Sequence, residues 1–228
     1  MLFRSSPYAV DGYQELAKLR LAAGRPQQAA PYLERALGLG IHRDVSHYLL
    51  GYCYLNEGHF EEALTHFHQA AALSPENGQY ALDVGRTLLK MQRYEAATSV
   101  FEKILEKDPE HFPAYLLMMK SEELSGHPSK AVEWARVGLA RARGKDFQSA
   151  VLTAAVMQLA YRQGWKALMH DMLNALSERY SKVPWYGDLA AFLTGKTDEK
   201  GFILLVRSKY PGFKDEARKY VQMRREIT

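Results

Sequence analysis

The chain has 228 residues, of which 47% are hydrophobic and 25% charged, and its formal net charge is +4. That composition is ordinary for a folded chain, and the small basic excess is not the signature of a dedicated nucleic-acid binder. Its one cysteine, Cys53, excludes an intramolecular disulfide and a four-cysteine metal site, and fits a reducing compartment.

The opening residues, MLFRSSPYAVDGY, lack the apolar run of a secretory leader, and the longest apolar stretches, such as Phe202 to Val206, are far too short to span a bilayer. No transmembrane segment is expected, and a cytoplasmic location is; a periplasmic one stays open if Met1 begins a processed fragment.

Along the chain, Ala29, Ala63, Ala97 and Ala131 recur at an interval of 34 residues. The same register carries Gly24, Gly58, Gln92 and Gly126, then Leu33, Phe67 and Phe101, then Pro75 and Pro109. A fixed period of this length marks one supersecondary unit copied and stacked, each copy burying the face its neighbour exposes. Residues 10–43 form the first unit, with Tyr13, Leu16, Ala17, Ala29, Leu33 and Ala36; Arg20 stands at an apolar position and Ile41 replaces the proline.

Residues 44–77 form the clearest unit. Leu50, Gly51 and Tyr54 share one helical face, Gly58 turns the chain, and a second helix carries Ala63, Phe67 and Ala70 before Pro75 breaks it. Small residues at Gly51, Ala63 and Ala70 let two antiparallel helices approach, while Tyr54 and Phe67 fill the space beside them. Residues 78–111 repeat the pattern with Val84, Gly85, Leu88, Ala97, Phe101, Ile104 and Pro109. Residues 112–145 are a degenerate unit in which Tyr115, Met118, Gly126 and Ala131 fit, while Met119, Glu122, Ala135 and Arg143 do not.

The register slips near Gly144 to Phe147. Helices over 147–163 and 165–180 make a degenerate fifth pair within 146–180. Residues 181–228 then read as three short helices, 184–193, 198–210 and 213–226, punctuated by Gly195 and Pro211-Gly212. From Gly195 onward nine basic residues face five acidic ones, a composition suited to the wet outer face of a capping element.

The unit at 44–77 resembles the tetratricopeptide repeat family, on Leu50, Gly51, Tyr54, Gly58, Ala63, Phe67, Ala70 and Pro75; His47 stands where the family has an aromatic residue. The resemblance implies an all-α fold: a right-handed α-solenoid of stacked antiparallel helix pairs with a C-terminal helical cap.

No catalytic constellation is present: no phosphate-cradling glycine loop, no nucleophile elbow and no HExxH. His66 and His68 lie two apart on a helix and point in different directions, which suits packing or solvated histidines better than metal ligands. Cys53 occupies a small-residue position inside a helix and reads as a buried, inert thiol. Catalytic residues, metal ligands and cofactors are therefore not expected.

The family resemblance implies that the first helix of each repeat lines a concave groove. Carried onto this chain, the inward positions are Gln14 and Lys18, then Tyr48, Tyr52 and Asn56, then Gln79, Leu82, Arg86 and Lys90, then Leu116 and Lys120; the fifth pair adds Gln158, Tyr161 and Arg162. Basic residues interleaved with Tyr48, Tyr52, Leu82 and Leu116 suit an acidic or carboxylate-bearing peptide with apolar anchors. The carboxylate clamp of some co-chaperones is missing, since Gln14 and Lys18 replace its lysine and asparagine and Leu49 its second asparagine.

The resemblance thus implies a non-enzymatic protein-protein interaction module, an adaptor, scaffold or chaperone-like protein, of a kind used in bacterial assembly or secretion. Two alternatives stand beside it: a helical-repeat nucleic-acid binder, for which the charge excess is small, and a scaffold subunit that forms homo-oligomers through the solenoid ends or the C-terminal tail.

Overall fold

The computed structural model describes residues 7–40 and 42–227; the opening residues 1–6 and Ile41, where the repeat expects proline, lie outside the described residues. The described residues form thirteen α-helices and one 3₁₀ turn, with no strand among them. No described helix is long and apolar enough to cross a membrane. The packing divides the chain into two compact units, Met1–Ser121 and Glu122–Thr228.

In the first unit α1 (Pro7–Ala22) pairs with α2 (Pro26–Gly38), α3 (Arg43–Glu57) with α4 (Phe60–Leu73), and α5 (Gly78–Lys90) with α6 (Tyr94–Lys107). The alanines and glycines of the repeat are the contact points. A Cβ on Gly51 would lie 2.6 Å from Cε1 of Phe67, and one on Gly85 would lie 2.2 Å from Cε1 of Phe101. Both phenylalanines are fully buried. The absent side chain of one helix is therefore the space that the ring of its partner fills.

The turns follow the same register. Gly58 closes α3 at φ +82°, its N–H bonded to Leu55 O, and Gly24 and Gly126 adopt the same left-handed conformation. Gln92 takes it at φ 60° without glycine's freedom. After α4, Asp44 clasps the turn by accepting from Ser74 Oγ at 2.9 Å and Tyr80 Oη at 3.2 Å. The Asn77 side chain then caps α5 by accepting from Gln79 N–H.

The helix α7 (Phe112–Leu124) carries Tyr115 and Met118, both buried. Ser121 on it accepts from Thr98 Oγ1 at 2.9 Å and donates to Tyr94 O at 2.8 Å.

In the second unit α8 (Pro128–Arg141), α9 (Asp146–Arg162) and α10 (Lys166–Glu178) precede α11 (Pro184–Leu193), α12 (Glu199–Lys209), the turn at Pro211–Phe213 and α13 (Lys214–Ile227). One apolar core joins Met157 of α9, Leu173 of α10, Trp185 and Phe192 of α11, Phe202 of α12 and Tyr220 of α13. Phe192 and Phe202 stack at 4.2 Å between ring centroids, and the Arg224 guanidinium lies 4.5 Å over Phe192. Phe202 and Val206 therefore belong to this core, whereas Leu204 between them is exposed.

Candidate protein-binding face

Asp83, on α5, organises the face. It is 4% exposed, and four side chains donate to its carboxylate. Tyr48 Oη lies 2.9 Å, Tyr52 Oη 3.0 Å and Gln79 Nε2 2.8 Å from Oδ2. Arg86 Nη1 lies 3.0 Å from Oδ1. A carboxylate taken out of water needs such a set of donors, because an unpaired one would be very costly.

The α3 tyrosines reach it because they stand one turn apart and aim at the next repeat. Their rings meet edge to face at 5.0 Å, and Tyr48 also packs on Tyr80 at 4.6 Å. Burial raises the pKa of both phenols, with further upward contributions from the Asp83 charge. Both therefore remain neutral donors. Both tyrosines stay partly exposed, and the Arg86 side chain is 44% exposed.

Tyr48, Tyr52, Gln79 and Arg86 are thus brought together by Asp83, which is not among the inward positions that the repeat resemblance implies. A signal for it exists: Asp83 stands in the register of Leu49 and Leu117, one repeat before and after. A charge at an apolar register position asks for buried partners.

The other residues expected on the face divide three ways. Leu82 is 1% exposed and is a core residue, so it is no ligand anchor. Gln14 is buried too, its amide donating to His42 O at 3.0 Å and Ser46 Oγ at 2.9 Å, which ties α1 to α3. Lys18 is exposed but bonded to Glu15 at 2.7 Å, which offsets its charge locally. Asn56, Lys90 and Lys120 are exposed and Leu116 is half-buried.

In the second unit, the α9 residues assigned to a groove already have partners. Gln158 donates to Tyr220 Oη and Tyr161 to Glu226, both on α13. Arg162 forms a fork on Glu123, with Nε at 2.6 Å and Nη2 at 3.0 Å. These three side chains hold the unit together rather than waiting for a ligand.

His47 and His66 form a second polar pair, Nδ1 to Nδ1 at 3.0 Å, with the His66 ring stacked on Tyr54 at 5.3 Å. Burial lowers the pKa of both. Cys53 is buried and its thiol is pushed up to about 12, chiefly by burial and then by Glu57, so it stays protonated.

A tetratricopeptide repeat family model matches residues 20–82 and 54–121. Residues 20–121 of the chain therefore carry tetratricopeptide repeats. Among solved structures, Pseudomonas aeruginosa PilF is 19% identical to it, over 96% of this chain and 98% of that one, with a TM-score of 0.61. MamA from residue 41 onward, from Desulfovibrio magneticus RS-1, is 19% identical over 75% of this chain and 93% of its own, with a TM-score of 0.60. A Podosopora anserina putative kinesin light chain with nearly identical TPR-like repeats is 15% identical over 78% and 100%, with a TM-score of 0.62. No curated protein matches the repeat protein. At these identities the likeness carries the fold alone, an all-α repeat solenoid, and the repeat family matched over residues 20–121 suggests a protein-interaction or scaffold role.

Proposed function

We propose that this repeat protein is a non-enzymatic adaptor or scaffold that binds a segment of a partner protein on the face carrying Tyr48, Tyr52, Gln79 and Arg86. The supporting observation is the Asp83 hub. It holds the Arg86 guanidinium at 3.0 Å while that side chain stays 44% exposed, beside Tyr48 and Tyr52, which it also fixes and which are partly exposed. Rigid aromatic area and an oriented arginine are the residue types on which binding energy concentrates. The chemistry fits a segment with a carboxylate for Arg86 and apolar side chains for the tyrosine edges, and Lys90 extends the positive charge along α5.

The test uses the full chain as bait, wild type beside Arg86→Ala/Lys90→Ala. Both positions are exposed, but Arg86 is the cation bonded to buried Asp83, so the variant is expected to melt somewhat lower than wild type, and circular dichroism at the assay temperature checks that it stays folded. The expected result is a protein recovered by the wild type and depleted about tenfold or more by the variant. Equal recovery by both overturns the assignment of this face.

A further inference from the structure

A second surface, independent of the Asp83 face, lies on the outer side of α12 and α13. The α12 run Phe202 to Val206 carries more apolar area than its core accepts. Phe202 and Val206 are buried, yet Leu204 is 55% exposed and Ile203 only half-buried. Between the two helices Ile203, Val206, Ala217 and Val221 floor a cleft of about 220 Å³. A hollow of about 400 Å³ adjoins it over Lys200, Ile203 and Leu204. The two share Ile203 and Arg207 and so form one surface.

The rim of that surface is predominantly basic. Lys200, Arg207, Lys214 and Arg218 border it, against the single carboxylate of Glu199. Glu199 is held by Arg225 through two bonds, at 3.0 and 2.5 Å, and Arg218 by Asp215 at 3.1 Å. No ion pair joins Lys200, Arg207 or Lys214 to a carboxylate among the described residues. An apolar centre inside a polar, predominantly basic rim is the anatomy of a docking site rather than of a solvated helix face.

The occupant follows from shape and charge. A seam between two helices accepts side chains that protrude from a third helix at i, i+4 spacing, whereas insertion into a lipid surface needs apolar groups that themselves protrude. Four cations disfavour a second copy of the same seam and select a negatively charged partner. We propose that the α12–α13 seam docks an acidic amphipathic helix of a partner protein, with its apolar stripe over Ile203 and Leu204 and its flanking Asp or Glu residues against Lys200, Arg207 and Lys214.

The experiment selects from a displayed library of helical peptides, randomised in charge around a fixed leucine stripe, with the full chain as target. Phosphatidylcholine–phosphatidylserine vesicles in equal parts and a single-stranded oligonucleotide serve as parallel probes. The expected result is enrichment of Glu/Asp-flanked peptides, whose affinity falls about tenfold or more for Arg207→Glu/Lys214→Glu and for Leu204→Glu. Both variants alter exposed positions, and matching melting temperatures with wild type show that the fold is kept. Arg86→Ala/Lys90→Ala is expected to bind the selected peptides normally, which separates this seam from the Asp83 face. Selection without acidic enrichment, peptides that bind the seam variants undiminished, or a seam-dependent response only to vesicles or oligonucleotide would each overturn the proposal.

Discussion

Tyr48 Oη donates to Asp83 Oδ2 at 2.9 Å, across the boundary between two successive repeats. Tyr52, one turn later, donates to the same oxygen at 3.0 Å. Two phenols of one repeat therefore converge on a buried carboxylate of the next, and the pairing couples the stacking of the repeats to the shape of the exposed face. Asp83→Ala removes the acceptor and leaves two hydroxyls and one amide without their partner. Because Arg86 is half in solvent, most of the loss comes from the orphaned donors. The expected cost is about 3 kcal/mol, read as a lower urea midpoint at constant slope. A change under about 1 kcal/mol would show that water replaces the carboxylate freely.

Gly85→Ala tests the contact between helices of one pair. The new methyl would meet the fully buried Phe101 ring at 2.2 Å, so ring and helix must part. Alanine's better helix propensity returns about 1 kcal/mol, and overpacking costs more, for a net loss of about 2 kcal/mol. Gly51→Ala, at 2.6 Å from Phe67, is expected to lose less. Equal midpoints for wild type and Gly85→Ala in equilibrium unfolding would refute the close approach.

Gln92→Gly is expected to stabilise. Gln92 holds φ 60° at the turn where Gly24, Gly58 and Gly126 stand, and a side chain in that conformation is strained. Relief of the strain exceeds glycine's greater freedom in the unfolded chain, for a gain of up to about 1 kcal/mol. A rise in melting temperature checks it; a fall would mean that the Gln92 side chain stabilises the turn.

The His47–His66 pair makes stability depend on pH. Both folded-state pKa values lie below the ordinary value of 6.5 because burial disfavours the imidazolium, with the neighbouring His66 and Arg43 also lowering His47. The unfolded chain therefore binds protons that the native pair excludes. The stabilisation is complete above about pH 6.5 and is lost as pH falls from there towards the lowered folded values. His47→Phe, which restores an aromatic residue at this repeat position, is expected to flatten the melting-temperature profile between about pH 7 and 5. A variant profile parallel to wild type would place the dependence elsewhere.

The repeat period by itself determined the helix pairs, their turns and the residues that pack them. The reason is physical: a 34-residue unit that cannot bury its own apolar face must meet its copy in one register, so Gly51 against Phe67 implies Gly85 against Phe101. That Tyr48, Tyr52, Gln79 and Arg86 lie on one side was equally legible, because positions on the first helix of each repeat share one face. What only the tertiary structure decided is which of those side chains are already engaged. Asp83 gathers donors from residues 31 and 35 positions earlier, Gln14 is spent on His42 and Ser46, and Leu82 is core. Each of these outcomes depends on distances between helices, which periodicity orders but does not measure. The C-terminal helices have no repeat to declare their partners, and only their packing separates buried Phe202 and Val206 from exposed Leu204.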